Sequence, residues 1–183
     1  VVPVQTFNHK VYEILAMAAA NGQIGVVRLL LNAGVPADPN RNDVHETSAL
    51  EEASSYGHAD IVSLLLEHKA DATLHGSLAL RLACQHNHIE VGRRLIDHCN
   101  PKDAGSEAIQ YACRNNNLLL IDLLYPVSDV NAAVREMNKH LPDHHPGLRA
   151  LCARIKSHEE NHILHSVLGD NMLAPKSTST RKI

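Results

Sequence analysis

Residues 48–66 read Ser48-Ala49-Leu50-Glu51-Glu52-Ala53-Ser54-Ser55-Tyr56-Gly57-His58-Ala59-Asp60-Ile61-Val62-Ser63-Leu64-Leu65-Leu66, two short apolar patterns joined by a Gly-His pair. In the first, Leu50, Ala53 and Ser54 fall three and four positions apart and therefore share one side of a helix. In the second, Ile61, Val62, Leu64 and Leu65 form a broader apolar stripe. Gly57 stands where the first helix must end in a left-handed residue, a conformation open to glycine and, next best, to asparagine.

The same spacing recurs at Leu15/Ala18/Ala19/Gly22, Leu80/Ala83/Cys84/Asn87 and Ile109/Ala112/Cys113/Asn116. Each instance is followed by a second apolar run: Val26, Val27, Leu29 and Leu30; then Val91 and Leu95; then Leu120, Ile121, Leu123 and Leu124. Two helical patterns and a tight turn within a period of about 30 residues predict stacked helical hairpins. The Ala, Ser and Cys positions let neighbouring backbones approach closely and so set the stacking distance. No single hairpin can bury both of its apolar faces, so stability is shared along the row. Stacks of this kind characteristically carry a recognition surface.

The segment 48–66 resembles the ankyrin repeat family without a gap: first helix, Gly-His turn, second helix. Asn32-Ala33-Gly34, Lys69-Ala70-Asp71 and Asp129-Val130-Asn131 resemble the Gly-Ala-Asp-Val-Asn stretch that leads into the family's hairpin loop. The resemblance spans residues 11–140 and implies an all-α solenoid. The family's Thr-Pro-Leu-His opening is replaced by Glu13-Ile14-Leu15-Ala16, Ser48-Ala49-Leu50-Glu51, Leu78-Ala79-Leu80-Arg81 and Glu107-Ala108-Ile109-Gln110, so its Thr and His hydrogen bonds at the helix start are expected to be missing. Turn-to-turn spacings of 35, 30 and 29 residues, against about 33 in the family, predict one long and two shortened hairpin loops.

In the family, the exposed end of the first helix and the preceding hairpin tip line the binding side. Carried over, this places the partner-binding strip at Ser55 and Tyr56, Gln85 and His86, and Arg114 and Asn115, with Ala20 and Asn21 before the first turn and His45 and His75 in the hairpin loops. Tyr56, His86 and Arg114 are its expected energetic centre, since aromatic and Arg side chains dominate interfaces. Fourteen histidines would make affinity pH-dependent below about 6.5 if several line that edge.

Composition narrows the function. With 44% hydrophobic residues, no Trp, one Phe and four Tyr, the core is aliphatic. A net charge of −3 gives no reason to expect a nucleic-acid or anionic-membrane partner. No apolar run is long enough to span a bilayer, and Val1-Val2-Pro3-Val4 lacks the basic start of a secretion signal. The absence of an initiator Met points to a processed or excised piece. Cys84, Cys99, Cys113 and Cys152 include no C-x-x-C pair, and Cys84 and Cys113 hold equivalent positions in successive units, too far apart to bridge. They are expected to be reduced core thiols in an intracellular, cytoplasmic protein.

One cluster offers chemistry. His158-Glu159-Glu160-Asn161-His162 fits H-E-x-x-H, where two His one helical turn apart bind zinc and the Glu activates water. His165 and Asp170 are the further donors. Glu160 occupies a position that is usually apolar in such enzymes, and one helix cannot wrap three ligands around an open catalytic zinc. His158, His162 and His165 therefore stand as an alternative metal set, and a zinc-dependent hydrolase as the alternative function. A targeting domain of a larger enzyme or effector is a third reading. No phosphate loop, nucleophile elbow or paired-carboxylate pattern is present.

Asn8 is expected to cap a first helix through Ala20. The breaker-rich loop 34–43 is expected to project from the stack as a contact loop. Beyond Asn131, residues to 140 and 148–156 read as two helices of a degenerate fifth unit. The expected organisation is a lead-in 1–7, four ankyrin-like repeats 8–128, a fifth repeat and helical cap 129–174, and a disordered tail 175–183. The chain reads as a monomeric, non-enzymatic protein-interaction module or scaffold without a cofactor.

Overall fold

A computed structural model describes residues 9–38, 47–100, 102, 106–142 and 145–172, with side chains through 160. Asn8, His45, the lead-in and the tail lie outside the described residues. Ten helices occur among them: α1 (His9–Ala20), α2 (Ile24–Asn32), α3 (Ala49–Tyr56), α4 (Ala59–Glu67), α5 (Leu74–Gln85), α6 (Ile89–Leu95), α7 (Glu107–Arg114), α8 (Leu118–Leu124), α9 (Val130–Met137) and α10 (Pro146–Met172). No strand occurs in the described residues. The first helices pack in series, α1 on α3, α3 on α5, α5 on α7 and α7 on α9, and the second helices α2, α4, α6 and α8 form a parallel row behind them. The result is an all-α ankyrin-type solenoid two layers deep.

The sequence pattern becomes packing position by position. Leu15, Leu50, Leu80 and Ile109 are at most 1% exposed, and the small residues Ala19, Ser54, Cys84 and Cys113 are fully enclosed. Each such Leu contributes about 2 kcal/mol of burial. Ser54 is no exception, because its hydroxyl donates to Leu50 O at 2.6 Å. Gly22, Gly57, Asn87 and Asn116 all adopt left-handed backbone, with φ of 70°, 81°, 68° and 52°.

Side chains following the turns tie each unit to the one before. His58 Nε2 lies 2.9 Å from Ala20 O, and His88 Nε2 lies 3.0 Å from Ser55 O. At the third joint Asn117 Nδ2 donates to Asn87 Oδ1 at 2.5 Å. At α3 the helix-start bonds expected to be missing are made by the very residues that replace the family's Thr and His. Ser48 and Glu51 form a capping box on α3, with Glu51 N donating to Ser48 Oγ at 3.2 Å and Ser48 N to Glu51 Oε2 at 2.9 Å. The buried Ser77 and Ser106 hydroxyls accept from Asn100 N at 3.1 Å and Asp129 N at 2.8 Å, each fastening its own unit's start to the next connection.

The described part of loop 34–43 does not project. Gly34 N bonds to Leu31 O and Val35 N to Leu30 O, which turns the chain back under α2 in a Schellman motif. Val35 and Ala37 are buried as a consequence, and Asp38 Oδ2 accepts from Asp71 N at 2.9 Å. Residues 39–43 lie outside the described set.

The two ends differ. Ile14 and Val26 are 49% and 41% exposed, although their counterparts Ala49, Ala79 and Ala108, and Ile61, Val91 and Leu120, are at most 3% exposed. Those counterparts are covered by the unit in front. At the other end α10 packs on α7, α8 and α9. It starts at Pro146, two residues earlier than expected, because proline suits a first helical turn, and it continues past 156 to Met172. Leu148 and Leu151 are buried and Arg154 pairs with Asp122, whereas Lys156, Ser157 and His158 are exposed.

Candidate interaction face

Viewed from the first helices, the solenoid presents one continuous face. On α1 and α7 the residues two before and one, two and five after the anchoring Leu15 and Ile109 line open grooves. At the N-terminal end Glu13, Ala16, Met17 and Ala20 of α1, with Tyr12, Thr47 and Glu52, surround a groove of about 500 Å³. At the other end Glu107, Gln110, Tyr111 and Arg114 of α7 face Arg135, Glu136 and Lys139 across a groove of about 610 Å³. The two grooves use the same register, three units apart. Met17 is 63% exposed, the most exposed large apolar side chain on this face.

The expected strip maps onto the rim of this face. Tyr56 ends α3 and is 60% exposed. His86 follows α5 and is exposed, its ring 6.3 Å from that of His88. Arg114 ends α7 and lies inside the larger groove, its guanidinium 5.5 Å from the Tyr111 ring. Ser55 is half-buried and Gln85 exposed. Two expected contact residues are engaged internally. Asn115 Nδ2 donates to Cys84 O at 3.0 Å and to Gln85 O at 2.9 Å, a tie between units. His75 sits in a left-handed stretch, His75-Gly76-Ser77, at the start of α5, with Nδ1 2.6 Å from Oε1 of the buried Glu51. His45 lies outside the described residues.

The structure adds residues that the sequence did not single out: Met17, Glu52, Tyr111 and Arg135. Their signal was present as helical phase, because Met17, Glu52 and Tyr111 each stand two positions after the anchor.

Among the described residues no three His, Cys, Asp or Glu side chains gather as a metal site. His158 and Glu159 are exposed on α10, with the His158 ring 5.9 Å from that of Tyr125. The side chains of His162, His165 and Asp170 lie outside the described set.

All four cysteines are free. Burial pushes the Cys84 and Cys113 thiols up to about 12, with Cys99 and Cys152 nearby as lesser causes. A thiol so placed stays protonated and is no nucleophile. The unfolded chain ionises first, so above about pH 9 unfolding releases protons and stability falls as pH rises toward the folded values. Going from about pH 8.5 to about 9.5 should lower the unfolding free energy by roughly 1 kcal/mol for the two thiols together. Urea melts under reducing conditions read this, and the Cys84→Ala, Cys113→Ala chain should show a shallower fall.

Comparison with known proteins now bears on this face. Residues 5–75 match the family model of ankyrin repeats, in three copies. Residues 5–75 carry ankyrin repeats. The helix pairs α5–α6 and α7–α8 continue the ankyrin register beyond the matched span. Over 120 residues the chain is 33% identical to Probable E3 ubiquitin-protein ligase XBOS33 of Oryza sativa subsp. japonica, a stretch that makes up 61% of this chain and 23% of the relative. The chain thus spans about a quarter of that relative's length. Ankyrin repeats are characteristically protein-interaction modules, and none of the described helices is long and apolar enough to cross a membrane.

Proposed function

We propose that this chain is a non-enzymatic recognition module that holds a partner protein against the face formed by α1, α3, α5, α7 and α9. The observation that carries the reading is the repetition of one open groove at the same register at both ends of that face, with Arg114 lining the C-terminal groove and the exposed Tyr56 and His86 between the two. Tyr and Arg anchors in grooves are the usual energetic centres of interfaces. Residues 129–174 act as a fifth unit and cap. The chain works as a monomer inside the cell, where its free thiols remain reduced, and it engages neither nucleic acid nor membrane.

The test uses a partner isolated by affinity purification and identified by mass spectrometry. Replacing Tyr56 and Arg114 together with Ala should weaken calorimetric affinity for that partner about tenfold or more and leave the melting temperature unchanged, since both side chains are exposed. Unchanged affinity would move the interface to another surface.

A second reading is favoured by the relative's size. A chain that spans about a quarter of a protein named as a ubiquitin ligase is consistent with a targeting domain that presents its partner to chemistry carried elsewhere in a longer chain. If so, the partner would be the substrate to be marked, and fusion of this chain to an unrelated ligase module should ubiquitinate it.

A further inference from the structure

The interaction face is electrically polarised. Among the described residues the N-terminal groove is lined by Tyr12, Met17 and the carboxylate of Glu52, with no Lys or Arg. The C-terminal groove is lined by Arg114, Arg135 and Lys139, with Glu107 and Glu136. Both of these carboxylates are already satisfied. Arg81 Nη1 donates to Glu107 Oε2 at 2.5 Å, and Lys139 Nζ donates to Glu136 Oε2 at 2.6 Å, which holds the Glu136 carboxyl below its ordinary range. Among the described residues no carboxylate pairs with Arg114 or Arg135. Arg114 instead lies over the Tyr111 ring, which orders its guanidinium without neutralising it. The groove therefore has a cation surplus in a chain whose net charge is −3.

We propose that the groove between α7 and α9 receives an acidic segment of the partner protein, its Asp or Glu carboxylates held by Arg114 and Arg135. This rests on reading the first-helix face as the interface and adds the partner's chemistry and polarity. A guanidinium offers a planar fork that matches a carboxylate through two parallel hydrogen bonds. Two such forks, one from each wall, select a short run of carboxylates. A long polyanion such as nucleic acid is disfavoured, because its course along the face would carry phosphates past Glu52, where no described Lys or Arg lines the groove. The partner thus lies with its acidic stretch at the α7–α9 end and apolar or basic side chains toward Met17.

The test presents the full chain with a random peptide display library and measures the recovered peptides by fluorescence anisotropy. The expected result is enrichment in Asp and Glu. Affinity should fall tenfold or more with Arg114→Glu and with Arg135→Glu, and likewise when the peptide's Glu residues are exchanged for Gln or NaCl is raised from about 0.1 to about 0.5 M. Unchanged melting temperatures confirm that the variants are folded, as expected for exposed side chains. Peptides without acidic bias whose binding is lost on Met17→Asp would overturn the charge assignment and leave the interface reading standing. Peptides insensitive to Met17→Asp and to both Arg variants, or no binders at all, would overturn both. A single-stranded oligonucleotide that binds more tightly than the acidic peptides would overturn the partner class.

Discussion

Gly147→Ala should lower the stability of the chain by about 3 kcal/mol, and the damage should be confined to the C-terminal end. An added Cβ at Gly147 would overlap the carbonyl oxygen of Cys113, with Cys113 C at 2.7 Å and Cα at 2.9 Å. These are backbone atoms in the last turn of α7, and Cys113 O already accepts from Asn116 N at 2.9 Å, so the obstacle cannot rotate aside. The only relief is for α10 to lift from α7, which withdraws Leu148 and Leu151 from the core. Urea melts should report the loss. A thiol reagent should report its place: Cys113, fully enclosed in the native chain, should become reactive while Cys84, one unit further in, stays protected. Gly25 is the control, since an added Cβ there meets nothing within 4 Å, and Gly25→Ala within α2 should stabilise by about 0.5 kcal/mol. Equal losses in the two variants would mean that ordinary backbone effects, and not the α10–α7 contact, govern position 147.

How much of this was legible in the sequence follows from the range of each interaction. The helix pairs and turns were, because the determinants are local: a small residue beside an anchoring Leu or Ile, and a residue able to turn left-handed four positions after the Ala. Even Asn87 and Asn116 turn as glycine does at the earlier joints. The Ser48–Glu51 capping box was equally readable as S-x-x-E, but those two residues were read only as departures from the family's Thr and His. The candidate face was half legible. The residues before each turn and in the hairpin loops were chosen by analogy, and of these Tyr56, His86 and Arg114 are exposed whereas Asn115 and His75 are engaged internally. The grooves themselves follow from helical phase combined with a neighbouring helix, so Met17 and Arg135 gain meaning only when α3 and α7 stand beside them. The Glu51–His75 pair and the Gly147–Cys113 contact join residues far apart in the chain. Nothing in either local sequence announces its partner. Residues 34–38 misled because Gly and Pro signal a change of direction, and here that change leads inward through a Schellman turn.

Gly57→Ala should cost about 2 kcal/mol, from two separable causes. At φ 81° an Ala is strained whatever the space around it. Its Cβ would also stand 2.5 Å from Nδ1 of His88, whose ring occupies the room that the glycine leaves and whose Nε2 is engaged with Ser55 O. The previous joint is built alike, with the His58 ring against Gly22. The next joint is built differently: its turn residue is Asn87, and the following unit offers the amide of Asn117 in place of a ring. Turn residue and partner therefore form matched sets, Gly with His or Asn with Asn. Gly57→Asn, which tolerates the left-handed backbone, should retain the penalty of displacing His88. Adding His88→Asn should recover at least half of it by recreating the Asn87–Asn117 arrangement one unit earlier. A double-mutant cycle read by urea melts measures the coupling; additive losses would show that the ring and the missing Cβ are independent and that the joints are not interchangeable parts.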